Sequence, residues 1–287
     1  METINSYNPT ERLNPLNDFI FFKVMGEKGN EVQLLGFLNA VLANSGREPI
    51  LSVDIQENQS FVKDIINGKS CVLDVLAVLA DGTKVNIEIQ LSNKGNMELR
   101  SLFYWSKIYF GSLKEGHDFR ELPNVICINI IDYNFLPDDK VHTCFKLRET
   151  ENQSLILTDV LEIHFINMVK WRKQVYKDIV NNPLHRWLSW FDENSPPELV
   201  AEVVGMDNAI NAANERQTYI SQDEEARRTY WSRRMAEHDL ISGLNHARRE
   251  GREERELEVA KNLKANGVSI DIIAQSTGLT AEEIVNL

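Results

Sequence analysis

The chain has 287 residues and a formal net charge of −12, from 31 Lys and Arg against 43 Asp and Glu. Hydrophobic residues make up 43% and charged residues 26%, a globular composition that excludes wholesale disorder. The acidic balance excludes a protein that holds nucleic acid by a bulk positive field. Any nucleic-acid contact would need a local basic patch or metal ions that offset phosphate repulsion.

The cysteines and the N-terminus predict the cellular compartment. The chain has three cysteines, Cys71, Cys127 and Cys144, which is an odd number. They lie far apart in the sequence, and no two of them have the spacing of zinc ligands. We therefore expect a reduced, cytoplasmic protein without a disulfide framework. The first residues lack a basic start followed by an apolar run, so we expect no secretory signal. The densest apolar stretch, residues 71–80, is too short to cross a membrane.

Apolar spacing predicts the first elements in chain order. Residues 19–24 and 34–42 carry apolar side chains at helical spacing, and a glycine-rich break at 26–29 separates them. Residues 51–56 alternate between apolar and polar side chains, which is typical of a strand.

Residues 69–91 predict a β-hairpin. The apolar run at 71–80 has strand length, and Asp81-Gly82-Thr83 follows as a turn signal. Residues 84–91 then alternate, with Asn86, Glu88 and Gln90 on one face. The second strand is therefore expected to have a polar face.

Further elements complete an α/β domain. A helix is predicted from Met97 to about Lys114, followed by a strand at 125–131 that is apolar on both faces and so needs helices on both sides. Residues 141–149 and 160–168 are further strand candidates. Residues 1–170 therefore predict one mixed sheet flanked by helices.

The strand signal disappears after Trp171. Residues 171–222 predict a helical extension with helices at 171–180, 184–191 and 198–204, divided by proline-containing breaks.

Residues 223–287 predict a long charged helix followed by two short helices. Thr280 and Glu283 have the spacing of a capping box at the start of the last helix. The Arg residues of the long helix are interspersed with Glu, which favours a solvated or self-associating helix over a DNA contact. The last helix begins Ala281-Glu282-Glu283, which disfavours base reading because phosphates would repel it. We therefore expect a regulatory or dimerising region and a homodimer.

Asp74, Glu88 and Gln90 are the candidate chemical centre. Side chains repeat every two residues in a strand, so residues 88 and 90 share a face. Two close carboxylates repel each other unless a cation lies between them, and Mg²⁺ prefers such oxygen ligands together with water and phosphate. The alternative is that Asp74 and Glu88 make ordinary cross-strand polar contacts.

The register of the hairpin determines whether Asp74 joins this face. Asp74 must lie opposite residue 88 or 90, which requires an odd-length connection, such as a three-residue loop with Gly82 in a left-handed conformation. A two-residue turn would place Asp74 opposite Ile89 and separate the acids.

Several motifs, taken in order, resemble the PD-(D/E)XK nuclease superfamily, and specifically its Rpn-like recombination-promoting nuclease and transposase family. The segments that carry the resemblance are Asn17-Asp18-Phe19 with Phe22-Lys23, Lys69 before Val72-Leu73-Asp74-Val75, Glu88-Ile89-Gln90, Arg100 with Tyr104, Gly116-His117-Asp118-Phe119, Leu157-Thr158-Asp159 before Leu161-Glu162-Ile163-His164, and Gly267-Val268-Ser269 with Ile273-Ala274 and Thr277-Gly278-Leu279-Thr280.

The resemblance implies a restriction-endonuclease-like fold and a metal-dependent DNA endonuclease of low sequence specificity, linked to recombination or DNA mobility. Asp74 and Glu88 would hold Mg²⁺, or Mn²⁺ in its place, and the carbonyl of Ile89 would face the same ion. DNA is the implied partner. Two alternatives stay open: a catalytically inactive binding or assembly protein that acts through its helical C-terminal region, and a nuclease for RNA or single strands.

Gln90 departs from the superfamily pattern, which has Lys at this place. A Gln can orient water by hydrogen bonds but cannot supply positive charge. We hypothesise that Lys23 or Arg100 supplies that charge instead. Asp18 is either an additional acid or the N-cap of the first helix. The alternative role of Arg100 is a structural salt bridge.

The histidines form no ligand cluster by spacing. His164 lies in a predicted strand, and we interpret it as a structural residue.

Overall fold

The fold is seen in a computed structural model that describes residues 12–43, 47–56, 74–113, 115, 116 and 118–287. The motif residues Lys69, Val72, Leu73 and His117 lie outside the described residues, as does the first part of the predicted strand at 71–80.

Six strands form one mixed sheet, as predicted. Their bounds are β1 Val53–Ile55, β2 Val75–Leu79, β3 Lys84–Gln90, β4 Val125–Ile131, β5 His142–Arg148 and β6 Ile156–Asn167. The spatial order is β1-β2-β3-β4-β6-β5. β1, β2 and β3 pair antiparallel, β3, β4 and β6 pair parallel, and β5 pairs antiparallel with β6.

Helices flank the sheet and form the C-terminal part of the chain. Their bounds are α1 Asp18–Phe21, continued by a π-helical turn at Phe22–Gly26, then α2 Glu31–Leu42, α3 Met97–Phe110, a 3₁₀ turn at Phe119–Glu121, α4 Met168–Lys173, α5 Pro183–Phe191, α6 Pro197–Met206, α7 Asn208–Gln222, α8 Glu224–Ala265, α9 Ile270–Thr277 and α10 Ala281–Val285.

The larger core lies on one face of the sheet. Apolar side chains of the central strands pack there with α1, α2, α5 and α7. Phe37 of α2 makes edge contacts with Trp187 and Phe191 of α5, at centroid distances of 5.6 and 5.3 Å. α2 also approaches α7 closely at Gly36, which has no side chain. A Cβ at this position would lie 2.3 Å from the Cβ of Ala209 and would clash with it. Helices of the segment 171–222 therefore share a core with the N-terminal helices.

α3 covers the opposite face over a smaller core. Tyr104 and Ile108 of this helix pack with Leu76, Cys127 and Phe165 of the sheet. All seven residues of β4 are buried, as expected for a strand with helices on both sides. Residues of β3 are also buried on both faces, so the polar face predicted for this strand lies inside the protein and not in solvent.

The helix predicted at 171–180 is wrong in both bounds. α4 begins at Met168 and ends at Lys173. Val175 and Tyr176 beyond it are exposed, so the described residues do not bury the apolar side that a longer helix would carry. Asn182 then begins α5 by accepting hydrogen bonds from the N–H groups of Leu184 and His185.

The chain divides into two compact units, Met1–Trp231 and Ser232–Leu287. The second unit has its own small core of Ala260, Ile273 and Ile284. The predicted capping box is confirmed, because Thr280 accepts from the N–H of Glu283 and the Glu283 carboxylate accepts from the N–H of Thr280. None of the helices in the described ranges combines the length and the apolar character that crossing a membrane requires.

Candidate active site

The β2–β3 hairpin has the odd-length connection that joins the two acids. Val75 pairs with Ile87 and Val78 pairs with Lys84. The N–H of Leu79 donates to the carbonyl of Thr83 at 2.9 Å, which leaves three residues, 80–82, in the loop. Gly82 has φ +84°, the left-handed conformation that such a loop needs.

Asp74 lies on the same face as Glu88. It immediately precedes β2, and the hairpin register continued by one residue places it opposite Glu88. Its Oδ2 accepts a hydrogen bond from the N–H of Ile89 at 2.7 Å. The N–H of Asp74 donates to the Glu88 carboxylate. The hairpin therefore ties the two acids together through both their side chains and the main chain.

Ile89 presents its main chain to Asp74 and its side chain to the core on the other face. The N–H and C=O of a strand residue point towards the same neighbouring strand. Because the N–H of Ile89 points to Asp74, its carbonyl oxygen is turned to that side as well.

Glu88 is a buried carboxyl with incomplete charge compensation. Only 2% of it is exposed. Nδ2 of Asn86 donates to its Oε1 at 3.3 Å, and Nη2 of Arg100 lies 3.5 Å from its Oε2. Burial, together with the charge of Asp74, outweighs these contacts and raises the pKa of Glu88 to about 8. The neighbouring groups therefore compensate the negative charge of the ionised carboxyl pair only in part.

Arg100 of α3 reaches Glu88 and also lies against the ring of Tyr104. Its guanidinium lies 5.1 Å from the ring centroid of Tyr104. Its Nε is buried and has no hydrogen-bond partner among the described residues. The salt bridge given above as the alternative role of Arg100 is thus present, and it places a cation beside Glu88.

Gln90 shares the face of Glu88, two residues further along β3. It is 8% exposed, and its Nε2 donates to the carbonyl of Ser92 at 3.0 Å. The amide is therefore held at the main chain of Ser92, on the face that carries Glu88, and it adds no positive charge there.

Lys23 is engaged elsewhere. Its Nζ lies 2.5 Å from Oε1 of Glu27 and 6.0 Å from the ring centroid of Phe19. Arg216 binds the same Glu27 at 2.6 Å. No contact between Lys23 and Glu88 is found in the described part of the chain. Of the two cations predicted for the site, the structure brings Arg100 to Glu88.

Asp18 is the first residue of α1, and its Oδ1 accepts from the N–H of Phe19 at 2.7 Å. The N-cap is Asn17, whose Oδ1 accepts from Phe19 and Ile20, so the N-cap interpretation of Asp18 was wrong. The helical segment that Asp18 begins reaches the hairpin at its far end. A Cβ at Gly26 would lie 2.9 Å from Cγ2 of Val75, the residue after Asp74.

Asn129 is a site neighbour that the sequence reasoning missed. It pairs with Glu88 in the β3–β4 register, and only 1% of it is exposed. Its Nδ2 donates to the carbonyl of His164 at 3.0 Å, and Ser101 of α3 donates to its Oδ1 at 3.2 Å. The available signal was an amide in the otherwise apolar run Val125-Ile126-Cys127-Ile128-Asn129-Ile130-Ile131.

The raised pKa of Glu88 predicts how stability depends on pH. Between its ordinary pKa of 4.5 and about 8, the folded state keeps a proton that the unfolded chain loses. This contribution to stability is therefore fully present below pH 4.5 and is lost as pH rises through 8. We expect the metal-free wild type to lose more unfolding free energy than Glu88→Gln between pH 5 and pH 8.5. A tenfold change in proton affinity corresponds to about 1.4 kcal/mol, so the difference should reach at least that size.

Denaturant unfolding in the presence of a chelator measures this difference. Glu98→Gln, which changes an exposed carboxylate of α3, is the matched control and should follow the wild type. Parallel pH profiles for wild type and Glu88→Gln would contradict the proposed protonation of Glu88.

Comparison with known proteins agrees with the resemblance seen in the sequence. No curated protein and no solved structure matches the chain significantly. The family model described as PD-(D/E)XK nuclease family transposase matches residues 15–247, which is most of the chain and includes the hairpin, α3 and β6. The mixed six-stranded sheet with flanking helices is consistent with the fold of that superfamily. The chain therefore belongs to the PD-(D/E)XK nuclease family transposases.

Proposed function

We propose that this protein is a Mg²⁺-dependent DNA endonuclease that hydrolyses phosphodiester bonds at Asp74 and Glu88. The observation that carries the proposal is the hairpin register, which puts both acids on one face beside the carbonyl of Ile89. We extend the proposal to low sequence specificity, a role in recombination and a cytoplasmic location. The family description as a transposase supports the link to DNA mobility.

The residues present suit a hard divalent cation. Two carboxylates and a main-chain carbonyl are all oxygen donors, which Mg²⁺ and Mn²⁺ prefer. The pKa of Glu88 is raised because burial and the charge of Asp74 disfavour its ionised form, and a bound cation would stabilise that form. Asp74, Glu88 and the carbonyl of Ile89 would hold the ion. When bound, Mg²⁺ lowers the pKa of a coordinated water and stabilises negative charge on the phosphate.

The surrounding side chains position the Glu88 carboxylate and add positive charge beside it. Asn86 and Arg100 contact the two oxygens of Glu88 and so limit the rotation of its carboxylate. Arg100 adds a positive charge that stabilises the charge developing on a phosphate. Gln90 orients a water by hydrogen bonds but leaves the charge to other groups. Glu88 must release its proton before it can act as a ligand.

Removal of Asp74 tests the proposal. We expect Asp74→Asn to lower Mg²⁺-dependent plasmid nicking by at least about 100-fold, because loss of a metal ligand should exceed the 10- to 100-fold cost of losing a partner of a ligand. Asp54→Asn is the matched control. Asp54 is an exposed residue of the neighbouring strand β1, and its variant should nick plasmid at the wild-type rate.

Equal nicking by wild type and Asp74→Asn would refute the endonuclease assignment. Calorimetric titration with Mg²⁺ in the presence of DNA then tests one of the two alternatives, the catalytically inactive protein. A wild type that binds no Mg²⁺ would indicate an inactive nuclease fold that acts as a binding or assembly module through its C-terminal helices.

Paired variants test which cation replaces the superfamily Lys. We expect Arg100→Gln to reduce nicking by about 10²–10³-fold, the usual cost of removing one electrostatic stabiliser of a transition state. Lys23→Gln should retain activity, because Lys23 is bound to Glu27 and packs on Phe19. The opposite order of activities in the same assay would assign the charge to Lys23.

We also propose that the chain forms a homodimer through α8. Leu240, Ile241 and Leu244 lie on one side of this charged helix and are exposed to solvent by 36–48%. A second copy would bury this stripe. We expect light scattering to give twice the chain mass for the wild type and the monomer mass for Leu240→Glu/Leu244→Glu. A monomeric wild type at micromolar concentration would contradict the proposal.

A further inference from the structure

A second polar cluster lies on the opposite face of the sheet from Glu88. Glu88 pairs with Asn129, which pairs with Phe165, so these three residues share the face that α3 covers. Glu162 and His164 alternate with Phe165 along β6 and therefore point to the other face. Cys144 of β5 pairs directly with His164 and points the same way.

Three different metal-binding atoms meet in this cluster. Nε2 of His164 lies 2.9 Å from Oε1 of Glu162, and Sγ of Cys144 lies 3.7 Å from that oxygen and 3.8 Å from that nitrogen. Zinc bonds of about 2.3 Å to sulfur and about 2.0–2.1 Å to nitrogen and oxygen, at tetrahedral angles, place the ligand atoms about 3.3–3.6 Å apart. The three atoms thus need to move by only a few tenths of an ångström to surround one ion.

His142 contacts the ring nitrogen of His164 that does not face Glu162. Its Nε2 lies 2.8 Å from Nδ1 of His164, and the two rings stack at a centroid distance of 5.1 Å. A metal on Nε2 of His164 requires the proton on Nδ1, which would be donated to Nε2 of His142. Such a partner for the second nitrogen is the usual way in which a ligating histidine is oriented.

The cations of the cluster use the other oxygen of Glu162. Nη2 of Arg47 lies 2.9 Å from Oε2, and Nζ of Lys146 lies 3.3 Å from the same oxygen. Oε1 is therefore the oxygen that faces Cys144 and His164. These two cations would leave a loaded site with excess positive charge, which favours an anion as the remaining ligand.

A large cavity gives access to the cluster. It has a volume of about 1210 Å³ and is lined by Cys144, His142 and His164. Cys144 itself is exposed, while Glu162 and His164 are buried. The fourth position of an ion held by these residues would therefore face the cavity.

We propose that Cys144, Glu162 and His164 form a Zn²⁺ site with one coordination position open to this cavity. Binding takes the thiol proton of Cys144 into solvent as the thiolate joins the ion. Thiolate, imidazole and carboxylate together select a softer cation than the all-oxygen set at Asp74 and Glu88. The competing interpretation is a hydrogen bond between His164 and Glu162 that holds no metal.

Substitution of Co²⁺ for Zn²⁺ tests the site in the full-length protein. Stoichiometric Co²⁺ should produce the near-ultraviolet charge-transfer band of a thiolate ligand in the wild type, and one equivalent of Zn²⁺ should abolish it. The oxygen ligands proposed at Asp74 and Glu88 cannot produce this band, so the result is independent of the nuclease proposal. Cys144→Ser should lose the band. Cys127→Ala, which changes a buried cysteine on the other face, should keep it.

Absence of the band in the wild type, or an equal band in Cys144→Ser, would overturn the proposal. Alkylation of the native wild type gives a second measurement that needs no variant. Zn²⁺ should slow the reaction of exposed Cys144 with iodoacetamide at least tenfold, as followed by peptide mass spectrometry. An unchanged rate would also count against the site.

Discussion

The register of the β2–β3 hairpin is the constraint on which the candidate active site depends. Side chains alternate along a strand, so a shift of one residue would turn Asp74 away from Glu88. The three-residue loop at 80–82, with Gly82 at positive φ, prevents that shift. The apolar residues strengthen the same register, because Val75, Ala77, Val85 and Ile87 must all enter the larger core. The same β2–β3 register therefore buries these apolar side chains and brings Asp74 and Glu88 together.

The position of Glu88 shows a conflict between stability and function. A buried carboxyl is costly unless its charge is compensated, and the contacts from Asn86 and Arg100 compensate it only in part. A second cation placed beside Glu88 would remove the cost but would also occupy the place where the proposed metal ion binds. In the fold, the ionised forms of Asp74 and Glu88 instead stay incompletely compensated at one end of the hairpin. Such residual electrostatic strain is expected where a site is prepared for a charged ligand.

Local sequence patterns predicted much of the fold, including the six strands and the register condition at Gly82. The failures involve information that is not local. Burial of the polar face of β3 arises from α3, which packs over it from a later part of the chain. Asn129 joins Glu88 only through the parallel pairing of β3 with β4, and no spacing within one strand reveals this. α4 ends at Lys173, and none of the described residues covers Val175 and Tyr176 beyond it, which a local pattern of apolar residues does not reveal.

The same limitation explains why histidine and cysteine spacing gave no metal cluster. Cys144 and His164 are twenty residues apart, and only the antiparallel pairing of β5 with β6 makes them neighbours. Because strand faces alternate, one sheet can carry two polar centres of different chemistry without contact between their side chains. Asp74 and Glu88 offer hard oxygen atoms on one face, whereas the β5–β6 cluster offers sulfur, nitrogen and oxygen on the other. Mg²⁺ binds thiolate poorly and favours the first set, while Zn²⁺ gains from sulfur and nitrogen in the second. Ligand softness would therefore keep the two proposed ions apart, even though Asn129, beside Glu88, donates a hydrogen bond to the main chain of His164.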